Sequence, residues 1–573
     1  MNPNPVRELD DEKFLRIDVE TLTVVTEPVA EKYRRVGGRG LIAKLLLNEV
    51  KPTCEPLGRH NKLIIATGLL AGTGVSSADR ISIGGKSPLT GSIKESNSGG
   101  ISADHLARLG IKALIIEGSP KEWHLLRITP EGCSFLPARE YASMGTYALC
   151  EALLAKFPKA AITCIGPAGE KQLASAGISN TDKDGKPSRL SARGGLGALM
   201  GSKKIKAIII EGSGRVPLAD AEKFRVAWKV YTKVLLEAPS SKVYREFGTA
   251  ALVQMINAMG GLPTKNFSRG RFDQADLISA DEMLGRINKR GGEGRTSHQC
   301  MPGCVIGCSN VYPDVNGKAI VSPIDYETIG LLGANLGISD LDIIAKLNYI
   351  CNDIGLDTME FGAAVGVAME AGMAPFGDSE AVFRILEEVR QGTVLGRLIA
   401  SGATTTGRVL GVLNVPAVRG QSMAAYDPRA IKGLGVTYAT SAMGADHTAG
   451  PTARAPVNHL DHKGQTALSL KSQKLVAFLD SAGLCLFTMG AVGSRLDLVL
   501  NLLNARFGWN LDMEWFEKMG IETLKDEYRF NELAGITRVQ YQLSEAFTER
   551  ELPDTGTVFD VPDEDINLLL RYE

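Results

Sequence analysis

The sequence has no apolar run long enough to cross a bilayer, and its mean hydropathy is near zero. A membrane-spanning role is not expected. An excess of one charge sign is also missing. Lys and Arg number 64 against 65 Asp and Glu, a net charge of −1, so no global field recruits nucleic acid or an anionic membrane. The polar, acidic stretch Met1–Lys13 has no apolar core of the signal-peptide kind. Nine cysteines is an odd number, and most are scattered, which speaks against a disulfide framework. A reducing, cytoplasmic setting is expected. A Walker loop is absent too, since the Lys in KSPLTGSIKESNSGG (86–100) does not follow its glycines as that loop requires.

What is present is length, glycine and one knot of cysteine. A chain of 573 residues is too long for one core, so about two to four domains are expected. The 63 glycines suit tight turns and close approaches of backbone to a ligand. Cys300, Cys304 and Cys308 stand in HQCMPGCVIGC (298–308), with Pro302, Gly303 and Gly307 opposing a helix. The segment reads as a loop that turns three thiols toward one point. With a fourth ligand they would suit an iron–sulfur cluster or zinc, although C-x₃-C-x₃-C is not the usual zinc spacing. The alternative is three buried or free cysteines near a turn.

Residues 14–27 predict two short strands around a turn. Gly37–Gly40 precedes helical spacing over 41–50, either as a phosphate-holding turn or as a plain helix entry. Leu63–Ala66, Ile81–Ile83 and Ala113–Glu117 read as strands, with glycine-rich loops at 67–74 and 86–100. A third such segment, SARGGLGALMGS (191–202), leads into a strand at 207–211. Arg193 there suits a phosphate or pterin contact, or caps a turn. Beyond Gly212–Pro217 helical periodicity dominates: 220–236, 250–259, 280–289, 340–353 with Ser339 as its cap, 361–371, 380–391, 467–480, 496–507 and 513–518. The acidic run 560–565 reads as a solvated tail. The fold class is therefore α+β: a β-rich domain over 1–211, then mainly helical domains over 212–403 and 404–573.

Two distant segments repeat. Asn352–Thr358 is similar to Asp480–Leu486, each with Gly-Leu just past a predicted helix and Asn or Asp three residues before the Gly. Glycine at that place is an ordinary helix stop. The shared polar residue suggests instead two related loops serving a paired ligand. Cys485, inside the second copy, is the candidate fourth thiolate.

At this point the chain resembles the tungsten-containing aldehyde:ferredoxin oxidoreductases. The pieces run in order: ATGLLAGTG (66–74), KSPLTGSIKESNSGG, IGPAGE (165–170), ARGGLGALMGSK (192–203), the cysteine loop, DYET (325–328), GLDT (355–358), GADHT (444–448) and DSAGLC (480–485). The resemblance implies a tungsten, or molybdenum, held by two pterins, with no protein ligand to the metal. It implies that the β-rich domain binds both pterins. It also implies a [4Fe–4S] cluster on Cys300, Cys304, Cys308 and Cys485. Arg80, Asn97, Gly99, Ala192 and Arg193 would contact pterin. Asn352, Leu356 and Asp357 would hold one pterin, Asp480 and Leu484 the other. A magnesium bridging the pterin phosphates would take backbone oxygens of Asn97 and Ala192. Glu327 and His447 would be catalytic. This chain departs in several ways. The family spacing is C-x₂-C-x₃-C, and Asn352 stands where Asp is usual. No basic residue directly follows His447, and no motif marks an interface metal.

Oxidising an aldehyde to an acid takes oxygen from water and releases two electrons. It needs a proton acceptor, assigned to Glu327, and an oxyanion donor, assigned to His447. Burial is expected to raise the Glu327 pKa. A structural ion pair is the plain alternative for the Glu, and a structural role for the His. No dyad of Asp446 with His447 is expected. The cluster passes electrons singly, so ferredoxin or a similar carrier is the expected partner. Lys289, Arg290 and Arg295 could form its basic docking patch, or be a solvated helix end. A homo-oligomer or a complex with iron–sulfur subunits is compatible. Two alternatives stand beside aldehyde oxidation: another low-potential reduction of a carboxylate or an activated aromatic ring, and a non-catalytic iron–sulfur relay.

Overall fold

The structure, a computed structural model, describes residues 8, 9 and 11–571. The N-terminal stretch 1–13 lies largely outside the described residues.

Alternating apolar residues build two six-stranded sheets. The first contains β1 (Lys13–Asp18), β2 (Thr23–Pro28), β3 (Leu63–Thr67), β4 (Ile81–Lys86), β5 (Ile93–Ser98) and β6 (Ile111–Glu117), in the order β2-β1-β6-β3-β4-β5. The second contains β7 (His124–Thr129), β8 (Gly132–Pro137), β9 (Ala161–Cys164), β10 (Ile178–Asn180), β11 (Arg189–Ser191) and β12 (Ile205–Ile210). Its order is β8-β7-β12-β9-β10-β11, the same path taken a second time. In both sheets the first and last strands pair in parallel and the other neighbours run antiparallel.

The two-residue side-chain period explains the packing. Leu63 and Ile65, Leu114 and Ile116, Ile208 and Ile210 point into one core shared by the two sheets. Their alternates, Ile64, Ala66, Ala113 and Ile115, pack under helix Gly38–Glu49. On the second sheet Ile162, Cys164, Ala207 and Ile209 pack under helix Thr146–Lys156. Central strands covered on both faces lose their alternation of polarity, which is why residues 63–66 of β3 and 207–210 of β12 read as unbroken apolar runs. The segment 86–100, expected as a loop, instead contains β5 in antiparallel register with β4.

Helices take over from Ala221. One large apolar core joins most of them and extends to residues 566 and 569. Three boundaries differ from expectation. The cap of helix Leu341–Ile354 is Asp340, whose side chain accepts from the Asp342 N–H, and not Ser339. Helix Met513–Leu533 runs far past 518, because Phe516, Leu524 and Phe530 bury at helical spacing among its charges. The acidic tail is docked: Asp560 pairs with Lys432 at 2.6 Å, and Ile566 is buried on helix Asp563–Arg571. No single helix among the described residues is long and apolar enough to cross a membrane.

Candidate active site

The helical repeat locks onto the sheet repeat. Helices Leu341–Ile354 and Gln465–Ala482 each stop at a left-handed glycine, Gly355 (φ 72°) and Gly483 (φ 83°). The following leucine N–H closes each end, Leu356 onto the Cys351 carbonyl at 2.8 Å and Leu484 onto the Leu479 carbonyl at 2.9 Å. Each corner then clips to one sheet through the same two bonds. Gly177 N–H donates to the Gly355 carbonyl (2.9 Å) and Asp357 N–H to that of Ser175 (3.0 Å). Arg80 N–H donates to the Gly483 carbonyl (3.1 Å) and Cys485 N–H to that of Ser77 (2.8 Å). The Gly37–Gly40 turn is the entry to helix Gly38–Glu49, and Gly40 N–H reaches Ser481 Oγ at 3.0 Å.

Between these corners lies a cavity of about 810 Å³, within the range of cofactor sites. Of the residues singled out from the sequence, Arg80, Asn97, Ala192, Arg193, Asn352, Leu356, Asp357, Asp480, Cys485, Glu327 and His447 line it. Gly99 and Leu484 do not. Leu484 is fully buried among Phe478, Val499 and Leu503. Gly99 lies against the cysteine loop, where a Cβ would come within 2.7 Å of Cys300 Sγ. Both are therefore packing positions rather than cavity walls.

Buried charge holds the walls together. Arg39 makes a bidentate pair with Glu527 at 2.7 and 2.9 Å and reaches Asp480 at 3.5 Å. Asn97 Nδ2 donates to Asp480 at 3.1 Å, and Arg80 donates to both the side-chain and backbone oxygens of Asn97. Burial pushes Asp480 up to about 6 against Arg39 and Arg80. Burial, with Asp480 adding, pushes Glu95 up to about 8. Across the cavity Arg193 donates to the carbonyls of Ala445 (2.9 Å) and Ser422 (2.6 Å) and lies 3.4 Å from Asp357. Lys94 and Asp446 form a fully buried ion pair between β5 and the GADHT turn. Burial alone would raise Asp446; Lys94 and Arg193 hold it far below the carboxylate range instead. Sequence reasoning passed over Arg39 and Lys94, although both stand inside glycine-rich segments it had marked.

The cysteine loop connects two antiparallel strands, β13 (Arg295–His298) and β14 (Ser309–Pro313). The structure brings all four expected cysteines into one neighbourhood. Ser77 touches both sides, with Oγ 3.4 Å from Cys304 Sγ and its carbonyl on Cys485 N–H. Arg80 Nη1 lies 4.0 Å from Cys485 Sγ. Burial pushes the Cys300 thiol up to about 12; Cys304 and Cys485 add to this, while Arg189 and Arg80 oppose it. Burial and the other three thiols raise Cys308 as well. Among the described residues no three such side chains close on a single ion. A four-iron cluster takes one thiolate per iron and needs no such convergence.

Glu327 and His447, 120 residues apart, meet as a pair. His447 Nε2 donates to Glu327 Oε1 at 3.0 Å, and Tyr426 hydroxyl donates to the same oxygen at 3.1 Å. Neither the pairing nor Tyr426 was foreseen from sequence. Burial favours a raised Glu327 pKa, as expected, but His447 outweighs it and the carboxyl stays below its ordinary value. The expectation of a raised pKa is thereby overturned. Glu327 Oε2 has no protein partner among the described residues, and 17% of the side chain stays open. His447 Nδ1 is buried without a partner. Asp446 serves Lys94 and the Thr448 N–H, so it forms no dyad with the histidine. The basic patch before the cysteine loop is mostly spoken for. Arg290 is bound by Asp342 at 2.6 and 2.8 Å, and Arg295 lies 3.6 Å from Asp184.

Two family models cover nearly the whole chain: "aldehyde ferredoxin oxidoreductase, N-terminal domain" over residues 14–212 and "aldehyde ferredoxin oxidoreductase, domains 2 & 3" over 227–571. The chain belongs to the aldehyde ferredoxin oxidoreductase family. It is an oxidoreductase. The tungsten-containing aldehyde ferredoxin oxidoreductases of Thermococcus kodakarensis and Pyrococcus furiosus are each 33% identical over 95% of this chain and 92% of theirs. Another member-like relative, the aliphatic sulfonate oxidoreductase WOR-like subunit of Pyrococcus furiosus, is 28% identical over 89% of this chain and 84% of its own. Among solved structures, the active site complex BamBC of benzoyl coenzyme A reductase superposes with a TM-score of 0.81 at 18% identity. That match covers 98% of this chain and 94% of that one, and it establishes a shared fold.

Proposed function

We propose that this family member oxidises aldehydes to carboxylic acids at a tungsten, or molybdenum, bis-pterin centre. Electrons would leave through a [4Fe–4S] cluster to ferredoxin or a similar small carrier. The observation that carries the reading is the Glu327–His447 pair, set in the same cavity as both glycine-leucine corners and Cys485.

The residues fit the groups. Two matching corners, each with a buried acid or amide (Asn352 and Asp357, Asp480), offer one cradle per pterin. Arg80 spans from Asn97 to Cys485, which would put the pterin side and the cluster side one guanidinium apart. Arg80 and Arg189 set positive charge beside the thiols, as an anionic cluster needs. A magnesium between pterin phosphates would take the backbone oxygens of Asn97 and Ala192. The metal centre, when bound, accepts the two electrons released by the substrate.

The protein's share of the chemistry is proton handling. Glu327 stays ionised at neutral pH, and its open Oε2 takes the proton from water as the oxygen adds to the carbonyl carbon. His447 Nε2–H is committed to Glu327 and its Nδ1 is buried, so the ring's part is to hold and orient the Glu327 carboxylate. Overall, aldehyde plus water gives acid, two electrons and two protons.

A second reading keeps the cofactors and changes the substrate, as the sulfonate oxidoreductase relative suggests. Two anaerobic assays of the holoenzyme separate the readings: dye reduction with aldehydes or sulfonates as electron donors, and oxidation of a reduced low-potential dye with carboxylates or aromatic thioesters as acceptors. Turnover of aldehydes supports the first; turnover of another class alone replaces it.

A further inference from the structure

The cavity's cations divide into two sets. Deep in the wall, Arg39 and Arg193 are each matched by a buried carboxylate, and Arg80 faces Cys485. At the mouth stand Arg454 and Lys471, both exposed, and neither has an ion pair among the described residues. Arg454 is not loose. Its guanidinium lies 4.5 Å from the centre of the buried Tyr244 ring, which itself packs on Phe487 at 4.5 Å. A ring face under a guanidinium fixes its plane and leaves its edge donors free.

Lys471 sits on helix Gln465–Ala482, on the stripe Leu468, Lys471, Ser472 and Leu475 that lines the cavity. These offsets of three and four share one helix face. Nine residues further along the same helix is Asp480, roughly 14 Å deeper at 1.5 Å per residue. Lys471 is therefore well above the corner that would hold a pterin. Tyr244 lies between, within electrostatic reach of both Arg454 and Glu327. The cavity walls also include the apolar side chains of Leu252, Leu468, Leu475 and Met489.

We propose that Arg454 and Lys471 form an anion anchor, and that the substrate is an aldehyde carrying a carboxylate at its far end. The apolar stretch would hold the carbon chain or ring, with the carbonyl at Glu327. A neutral aldehyde would gain nothing from the two cations, so the anchor favours the acid by attraction. This assignment rests on the reading of the cavity as the site of aldehyde oxidation.

The test compares paired aldehydes on the holoenzyme: succinic semialdehyde against butanal, and 4-formylbenzoate against its methyl ester. We expect the acid to be favoured in kcat/KM, through KM, by roughly tenfold or more, less so as salt rises. Arg454→Gln and Lys471→Gln should each lower the acid-to-neutral ratio, and the double variant should abolish it. Tungsten or molybdenum, iron and pterin contents are measured on every variant. An unchanged ratio, a ferredoxin KM that alone moves, or a loss of pterin in the variants would each overturn the anchor. If no aldehyde is turned over, the oxidase reading fails, and calorimetric binding of glutarate against butyrate still decides the anchor. Tighter glutarate binding, lost in the double variant, supports it; equal binding of the two acids overturns it.

Discussion

At the scale of single residues the decisive feature is one carboxylate with two unlike oxygens. Glu327 Oε1 is held by His447 and Tyr426, while Oε2 is open. Glu327→Gln keeps the shape and removes the base. It should retain metal, iron and pterin yet lose turnover by about 10²-fold or more, measured as aldehyde-dependent dye reduction. Full activity would remove Glu327 from the chemistry. The pH profile gives a separate check. The depressed Glu327 pKa places the acid limb of kcat/KM below the usual glutamate range, with activity lost as pH falls through it. His447→Gln keeps a neutral donor and loses the positive charge, leaving burial to dominate. The acid limb should then move up. A limb that stays in place, or moves down, contradicts the assigned cause.

At the scale of elements, two of the joints between sheets and helices lend themselves to test. One is the corner Asp480–Cys485, clipped at Arg80 and Ser77. Cys485→Ser should lose cluster iron while the chain stays folded; unchanged iron would reject Cys485 as a ligand. The other joint is Lys94 on β5 with Asp446 on the GADHT turn. Lys94 is fully buried, so Lys94→Met would strand a carboxylate in the interior. A loss of about 3–5 kcal/mol is expected, read as a lower apparent melting temperature and a shorter half-life on heating. A melting temperature equal to the parent's would mean that Asp446 finds enough support from Arg193 alone.

The corners were legible in the sequence because their signal is local: a helix, a glycine and a leucine within seven residues. The cysteine loop was legible for the same reason. Pairs that close over long separations left no such trace. Glu327 with His447, Arg39 with Glu527 and Lys94 with Asp446 each join segments more than a hundred residues apart. Nothing in either segment alone announces the partner. Periodicity alone ends helix Met513–Leu533 at 518, because charged residues interrupt its apolar stripe, and only packing reveals the face. Arg290 and Arg295 read as a free basic patch because their acids, Asp342 and Asp184, lie elsewhere in the chain.

At the scale of the whole molecule, the sheet path taken twice and the corner built twice belong together. Each sheet with its corner contributes lining residues to the one cavity. The sequence revealed the doubled corner but not the doubled sheet, since the two sheets share topology and hydrogen bonding rather than residues. Such a frame suits a ligand that is itself paired. Quantifying metals and pterin in anaerobically purified protein tests that claim most directly. The account predicts tungsten or molybdenum at about one atom per chain, about two pterins and about four irons. Iron alone, with neither pterin nor a heavier metal, would contradict it.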